Sequence, residues 1–147
     1  ETLDDFPTGI YGFIYITTHI PSGMSYIGKK VLFHNIKRKL TRRKLAEHQG
    51  AGRKPTHQIV QKESDWKTYT GSSNELNADI VKYGKENFSF EILEWGGSKF
   101  ELGYKEIKRQ LQEDALLSEQ FYNGIISCRL SRPKYYVPYE NKNLPKS

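Results

Sequence analysis

The stretch Gly12-Phe13-Ile14-Tyr15-Ile16-Thr17-Thr18 is filled with aromatic and β-branched residues, the composition of a strand. Pro21-Ser22-Gly23 supplies turn chemistry, and Met24-Ser25-Tyr26-Ile27-Gly28-Lys29 reads as the returning strand. An antiparallel hairpin is predicted. Ile36, Leu40 and Leu45 then form a weak helical stripe, which Gly50-Ala51-Gly52 breaks. Ser72 and Glu75 have the spacing of a capping box ahead of Leu76, Ile80 and Tyr83, and Gly84 is a natural helix stop. Phe88, Phe90 and Ile92 alternate with Ser89 and Glu91, which predicts a third strand. A second capping box, Ser98 with Glu101, opens a longer helix with Phe100, Tyr104, Ile107 and Leu111 on one face. From Arg129 onward the periodicity fades while Pro133, Pro138 and Pro145 recur. Residues 1–128 therefore read as one domain and 129–147 as an extended basic tail. The order β-β-α-α-β-α predicts an α+β fold, a small three-stranded antiparallel sheet flanked by helices.

At 147 residues the chain is long enough to bury a core without disulfides. Only 36% of it is apolar while 13% is aromatic, so much of that core has to be aromatic. The net charge of +6 favours a polyanion, either nucleic acid or an anionic membrane surface. No apolar run approaches the ~18 residues of a membrane-spanning helix, and no signal-peptide pattern opens the chain. Nucleic acid is the better partner, and an intracellular, reducing compartment is expected. The charge is also local. Lys37, Arg38, Lys39, Arg42, Arg43, Lys44, Arg53 and Lys54 face only Glu47 between positions 37 and 54, which points to phosphate contact. Cys128 is the single cysteine, excluding an intrachain disulfide and a cysteine zinc finger. His19, His34, His48 and His57 show no zinc-site spacing. The chain opens on Glu1 rather than Met, so residues are expected to be missing from its ends.

Phe13-Ile14-Tyr15 followed by Tyr26-Ile27-Gly28 resembles the two-tyrosine hairpin of GIY-YIG nucleases, with Tyr15 eleven positions before Tyr26. A literal Gly9-Ile10-Tyr11 precedes the strand and is set aside. Tyr69-Thr70-Gly71-Ser72-Ser73, Lys82-Tyr83-Gly84-Lys85-Glu86-Asn87-Phe88 and Phe90-Glu91-Ile92-Leu93 follow in the order of phage-type and homing-endonuclease members. The resemblance covers about Gly12 to Asn123. It implies a DNA endonuclease using Mg²⁺ or Mn²⁺, in the host cytoplasm for a phage-encoded member. It assigns the water-activating hydroxyl to Tyr15 or Tyr26, and Gly28 to a position where a Cβ would crowd the substrate. Glu106 is implied as the metal ligand, with Glu119 as the alternative and Asn123 as a supporting residue. The family's phosphate-facing arginine, on a helix after the second strand, has Arg38 nearest, with Arg42 and Arg43 behind it. Its nearby histidine has candidates in His34 and His48. Lys29, Lys30, Arg42, Arg43, Lys44 and Lys67 are candidates for binding the nucleic acid, and Trp66 is a stacking or core residue.

Two rivals share the basic surface. One is a binding module without catalysis, against which Tyr15, Tyr26 and Glu106 argue. The other is a structural RNA-binding protein, which gives no reason for the hairpin and the downstream order to coincide.

Overall fold

Strand β1 (Gly12–His19) is the middle of a three-stranded antiparallel sheet ordered β2-β1-β5, with β2 at Ser25–Val31 and β5 at Phe88–Gly96. The structure is a computed structural model and describes residues 5–47, 50, 52–53, 55–126 and 129–139. It divides into two units, residues 33–64 and the remainder. Among the described residues no helix is long and apolar enough to cross a membrane.

In the larger unit, Tyr15 lies opposite Gly28 and Thr17 opposite Tyr26. Side chains alternate along a strand, so Phe13, Tyr15, Thr17, Tyr26 and Gly28 share one face, and Ile14, Ile16 and Ile27 the other. The first face carries the aromatic core expected from composition. Phe13, Tyr15, Tyr26, Trp66 and Trp95 are buried there with Leu76 of helix α2 (Asn74–Tyr83). Phe13 meets Trp66 and Trp95 edge-on at 86°, a geometry that adds about 1 kcal/mol per pair beyond area burial. Helix α3 (Lys99–Gln112) covers the second face, with Leu102 against Ile14 and Ile27. Gly84 ends α2 with a positive φ of 88°, as its position predicts.

Two helix details differ from expectation. The N-cap of α2 is Ser73, whose hydroxyl accepts from Leu76 N–H, not Ser72. The inward face of α3 is not Phe100, Tyr104, Ile107 and Leu111, because Tyr104 and Leu111 are exposed. It runs instead through Glu101, Leu102, Gly103 and Gln110. Polar residues occupy it because each finds a buried partner. Glu101 pairs with Lys105 Nζ at 2.6 Å, and both its oxygens accept from the Tyr139 N–H at 3.0 and 3.2 Å. Residues 129–139 contain no helix or strand, and this hydrogen bond anchors Tyr139.

In the smaller unit, β3 (Phe33–Lys39) and β4 (His57–Glu63) pair antiparallel, with α1 (Arg42–Ala46) between them in the chain. The helical stripe expected from Ile36, Leu40 and Leu45 gives way to strand up to Lys39. Ile36 faces Val60 across the ribbon, and a seven-pair ladder outweighs one weak stripe. Strand β4 has no apolar alternation strong enough to announce it. Neither strand contains a fully buried residue.

Candidate active site

Tyr15 and Tyr26 approach with ring centroids 6.2 Å apart on one face of the hairpin. Glycine makes this possible. A Cβ on Gly28 would come within 2.7 Å of Tyr15 Oη and 2.8 Å of Tyr26 Cε1, so it is the tyrosines that claim its space. Gly71, at φ +115°, closes the same space from the other side, where a Cβ would stand 3.1 Å from Tyr26 Cε1 and 3.3 Å from Tyr15 Oη. Between Ile14 and Tyr15 the pairing with β5 slips by one residue, an irregularity of the kind that re-aims a side chain. Burial first, then the neighbouring Tyr26, Tyr69 and Glu106, push the Tyr15 hydroxyl far above its ordinary pKa. It stays protonated at any working pH.

Strand β2 is an edge strand, and its outer side is not left bare. Ser25 forms a parallel bridge with Phe121, its N–H donating to Gln120 O and its C=O accepting from Tyr122 N–H, both at 2.8 Å. The Asn123 side chain then continues the ladder. Its Oδ1 accepts from Ile27 N–H at 3.0 Å and its Nδ2 donates to Ile27 C=O at 2.7 Å, joined there by Gln110 Nε2 at 3.0 Å. A cavity of about 620 Å³ opens along this edge. Tyr26 and Lys29 line it from β2, Ser72, Ser73 and Glu75 from the start of α2, and Glu106 and Gln110 from α3, with Asn123 beside them. Lys29 Nζ lies 2.7 Å from Glu106 Oε2. The Tyr26 hydroxyl is 2.9 Å from Ser72 Oγ, which the shift of the helix cap to Ser73 leaves available.

Glu106 and Asn123 therefore meet Tyr26 at one cavity, with Tyr15 packed against Tyr26. Glu119 lies outside the cavity lining, exposed in a turn beyond α3. Tyr11 packs against the Ile14, Ile27 and Leu102 cluster, not with the tyrosine pair. Lys30 pairs with Asp65 and sits 3.8 Å from the Tyr69 ring centroid, while Lys67 lies over Trp66, a core residue. Arg38 is exposed on a strand, β3, where a helix was expected; Arg42, Arg43 and Lys44 are on α1. His34 is on β3, and His48 lies outside the described residues. Sequence reading missed Ser72, Gln110 and Gly71. Gly71 and Ser72 both stand in the quoted segment Tyr69-Thr70-Gly71-Ser72-Ser73, whereas Gln110 carried no signal.

Among the described residues no cluster of three or more His, Cys, Asp or Glu side chains is present. The donors around Glu106 are hydroxyl, amide and carboxylate oxygens without a soft ligand. Glu106, with Glu75 on the same lining, suits Mg²⁺ or Mn²⁺, which take oxygen ligands and, for Mg²⁺, keep several waters. In comparison with known proteins, the family described as "Putative endonuclease segE, GIY-YIG domain" matches residues 1–126. No curated protein and no solved structure matches the chain.

Proposed function

The chain belongs to the SegE-type GIY-YIG endonuclease family, and from that premise we propose that it hydrolyses phosphodiester bonds of DNA with the help of a divalent cation. The observation that carries this reading is the meeting of Tyr26, Lys29 and Glu106 at one cavity wall. Hydrolysis needs an oriented water, neutralisation of charge on the phosphate and help for the leaving oxygen. Tyr26, held by Ser72, addresses the water, and Tyr15 buttresses it as a neutral hydroxyl. Lys29 meets phosphate charge, and Asn123 holds β2 in place through Ile27. The resemblance gives the family's phosphate-facing arginine to Arg38, with Arg42 and Arg43 as alternatives, all three on the smaller unit. A divalent ion, when bound, supplies Lewis-acid polarisation of the phosphate, and Glu106 would hold it.

The test is cleavage of mixed plasmid and branched DNA with Mg²⁺ and again with Mn²⁺, chelator serving as control. Glu106→Ala should abolish cleavage while DNA binding is kept or slightly tightened, since a negative charge near phosphate is lost. Glu119→Ala should cut like the parent chain. A fully active Glu106→Ala protein would falsify the assignment.

A further inference from the structure

The register of the β3–β4 ribbon pairs Asn35 with Gln61, Lys37 with Ile59 and Lys39 with His57. By strand alternation these six side chains share one face, and all six are exposed. The opposite face differs. Ile36, Gln58 and Val60 are partly buried there, and Lys44 of α1 donates to Gln58 Oε1 at 3.2 Å. Lys44 thus touches that face, while among the described residues the six side chains of the first stand exposed. The uncovered face shelters no core of its own, and Ile59 is 69% exposed on it.

Charge is concentrated in the same unit. Positions 33–64 hold nine Lys and Arg against Glu47 and Glu63, while the rest of the chain holds fourteen against fifteen. The whole positive excess of the protein sits here. On the uncovered face the lysines lie away from the one acid, Glu63, which stands at the opposite end of the ribbon from Lys39.

We propose that this uncovered face seats in the major groove of duplex DNA and reads base edges there; the inference rests on the nuclease reading above. The major groove, about 12 Å wide, admits a two-stranded ribbon, and its base edges present donor and acceptor patterns that amides match. Asn35 and Gln61 stand directly opposite one another, so their Cβ atoms are about 5 Å apart, close enough to address neighbouring base pairs. Each amide can make a two-point contact with adenine, and the exposed Ile59 suits the methyl group of thymine. Lys37 and Lys39 follow on one side of that pair, with Phe33 and Glu63 on the other, and the two lysines take phosphates.

Binding of the full chain to a random-sequence duplex library, in chelator to prevent cutting, tests this. The parent chain should enrich adenine at two neighbouring positions. Asn35→Ala with Gln61→Ala should erase that enrichment and weaken the preferred site about tenfold or more, leaving the salt dependence intact. Lys37→Ala with Lys39→Ala should weaken every sequence alike and lower the slope of log affinity against log salt by about two. Unchanged enrichment in the first variant, an unchanged slope in the second, or the same residues acting on duplex RNA in place of DNA would each overturn the proposal. A parent chain that cuts DNA while these variants bind like it defeats the ribbon alone. A parent chain that neither cuts nor binds DNA defeats the nuclease reading as well.

Discussion

Gly28 is a glycine because two tyrosines occupy the space its side chain would need. The convergence of Tyr15 and Tyr26 there gives each hydroxyl a separate test. Tyr15→Phe and Tyr26→Phe should both fold; Tyr26→Phe should lose on the order of a hundredfold in single-turnover cleavage, and Tyr15→Phe, which keeps its ring packed against Tyr26, clearly less. Tyr11→Phe, packed with the other cluster, should cut normally. An inactive Tyr11→Phe would mean that the first motif has been placed in the wrong register. The burial of Tyr15 also has a stability consequence. Its folded pKa lies above the ordinary value near 10, so the folded protein binds the proton more tightly than the unfolded chain does. The corresponding stability is fully present below about pH 10 and is lost as the pH rises further. Tyr122, raised by burial and by its hydrogen bond to Asp79 at 2.7 Å, acts in the same direction. Urea midpoints at pH 8 and pH 10.5 should therefore differ more for the parent chain than for Tyr15→Phe.

Elements act on this site through their ends and edges. The start of α2 divides labour between two adjacent serines. Ser73 caps the helix, and Ser72 holds the Tyr26 hydroxyl. Ser73→Ala should cost about 1 kcal/mol of stability in chemical denaturation and leave the rate per folded molecule unchanged. Ser72→Ala should leave stability nearly intact and slow cleavage about tenfold, the equivalent of one hydrogen bond. A reversal of these two phenotypes would restore Ser72 as the cap. The edge of β2 follows a related logic. Asn123 and Gln110 satisfy the backbone of Ile27, which sits between Tyr26 and Gly28, so a side chain far along the chain fixes the strand that carries the motif. An orphaned Ile27 N–H would cost about 1–3 kcal/mol.

For the whole molecule the decisive quantity is where its charge lies. The positive excess resides in positions 33–64, and the remainder is close to neutral. Electrostatic attraction to phosphate is therefore expected to come from the smaller unit, with the chemistry in the larger. Neutralising Arg42, Arg43 and Lys44 should flatten log affinity against log salt by about one unit per lost phosphate contact. Thermal stability should barely change, because α1 buries no residue. An unchanged slope would show that these side chains only face solvent.

Sequence alone determined the hairpin, the third strand, the two well-capped helices and the aromatic character of the core, because each leaves a local signature in composition or period. It also singled out Tyr15, Tyr26, Gly28, Glu106 and Asn123 through a resemblance that the family match over residues 1–126 supports. Tertiary structure decided the rest. The inward face of α3 was illegible because Glu101 and Gln110 are buried only by virtue of partners distant in sequence, Tyr139 and Ile27. The β3–β4 ribbon was illegible because its pairing spans the α1 segment and its faces carry no contrast between apolar and polar residues. Ser72 reached Tyr26 only because the helix began one residue later than its capping pattern suggested. Local patterns record what a residue does to its own backbone. Which distant group satisfies a buried polar atom is settled when the chain closes on itself.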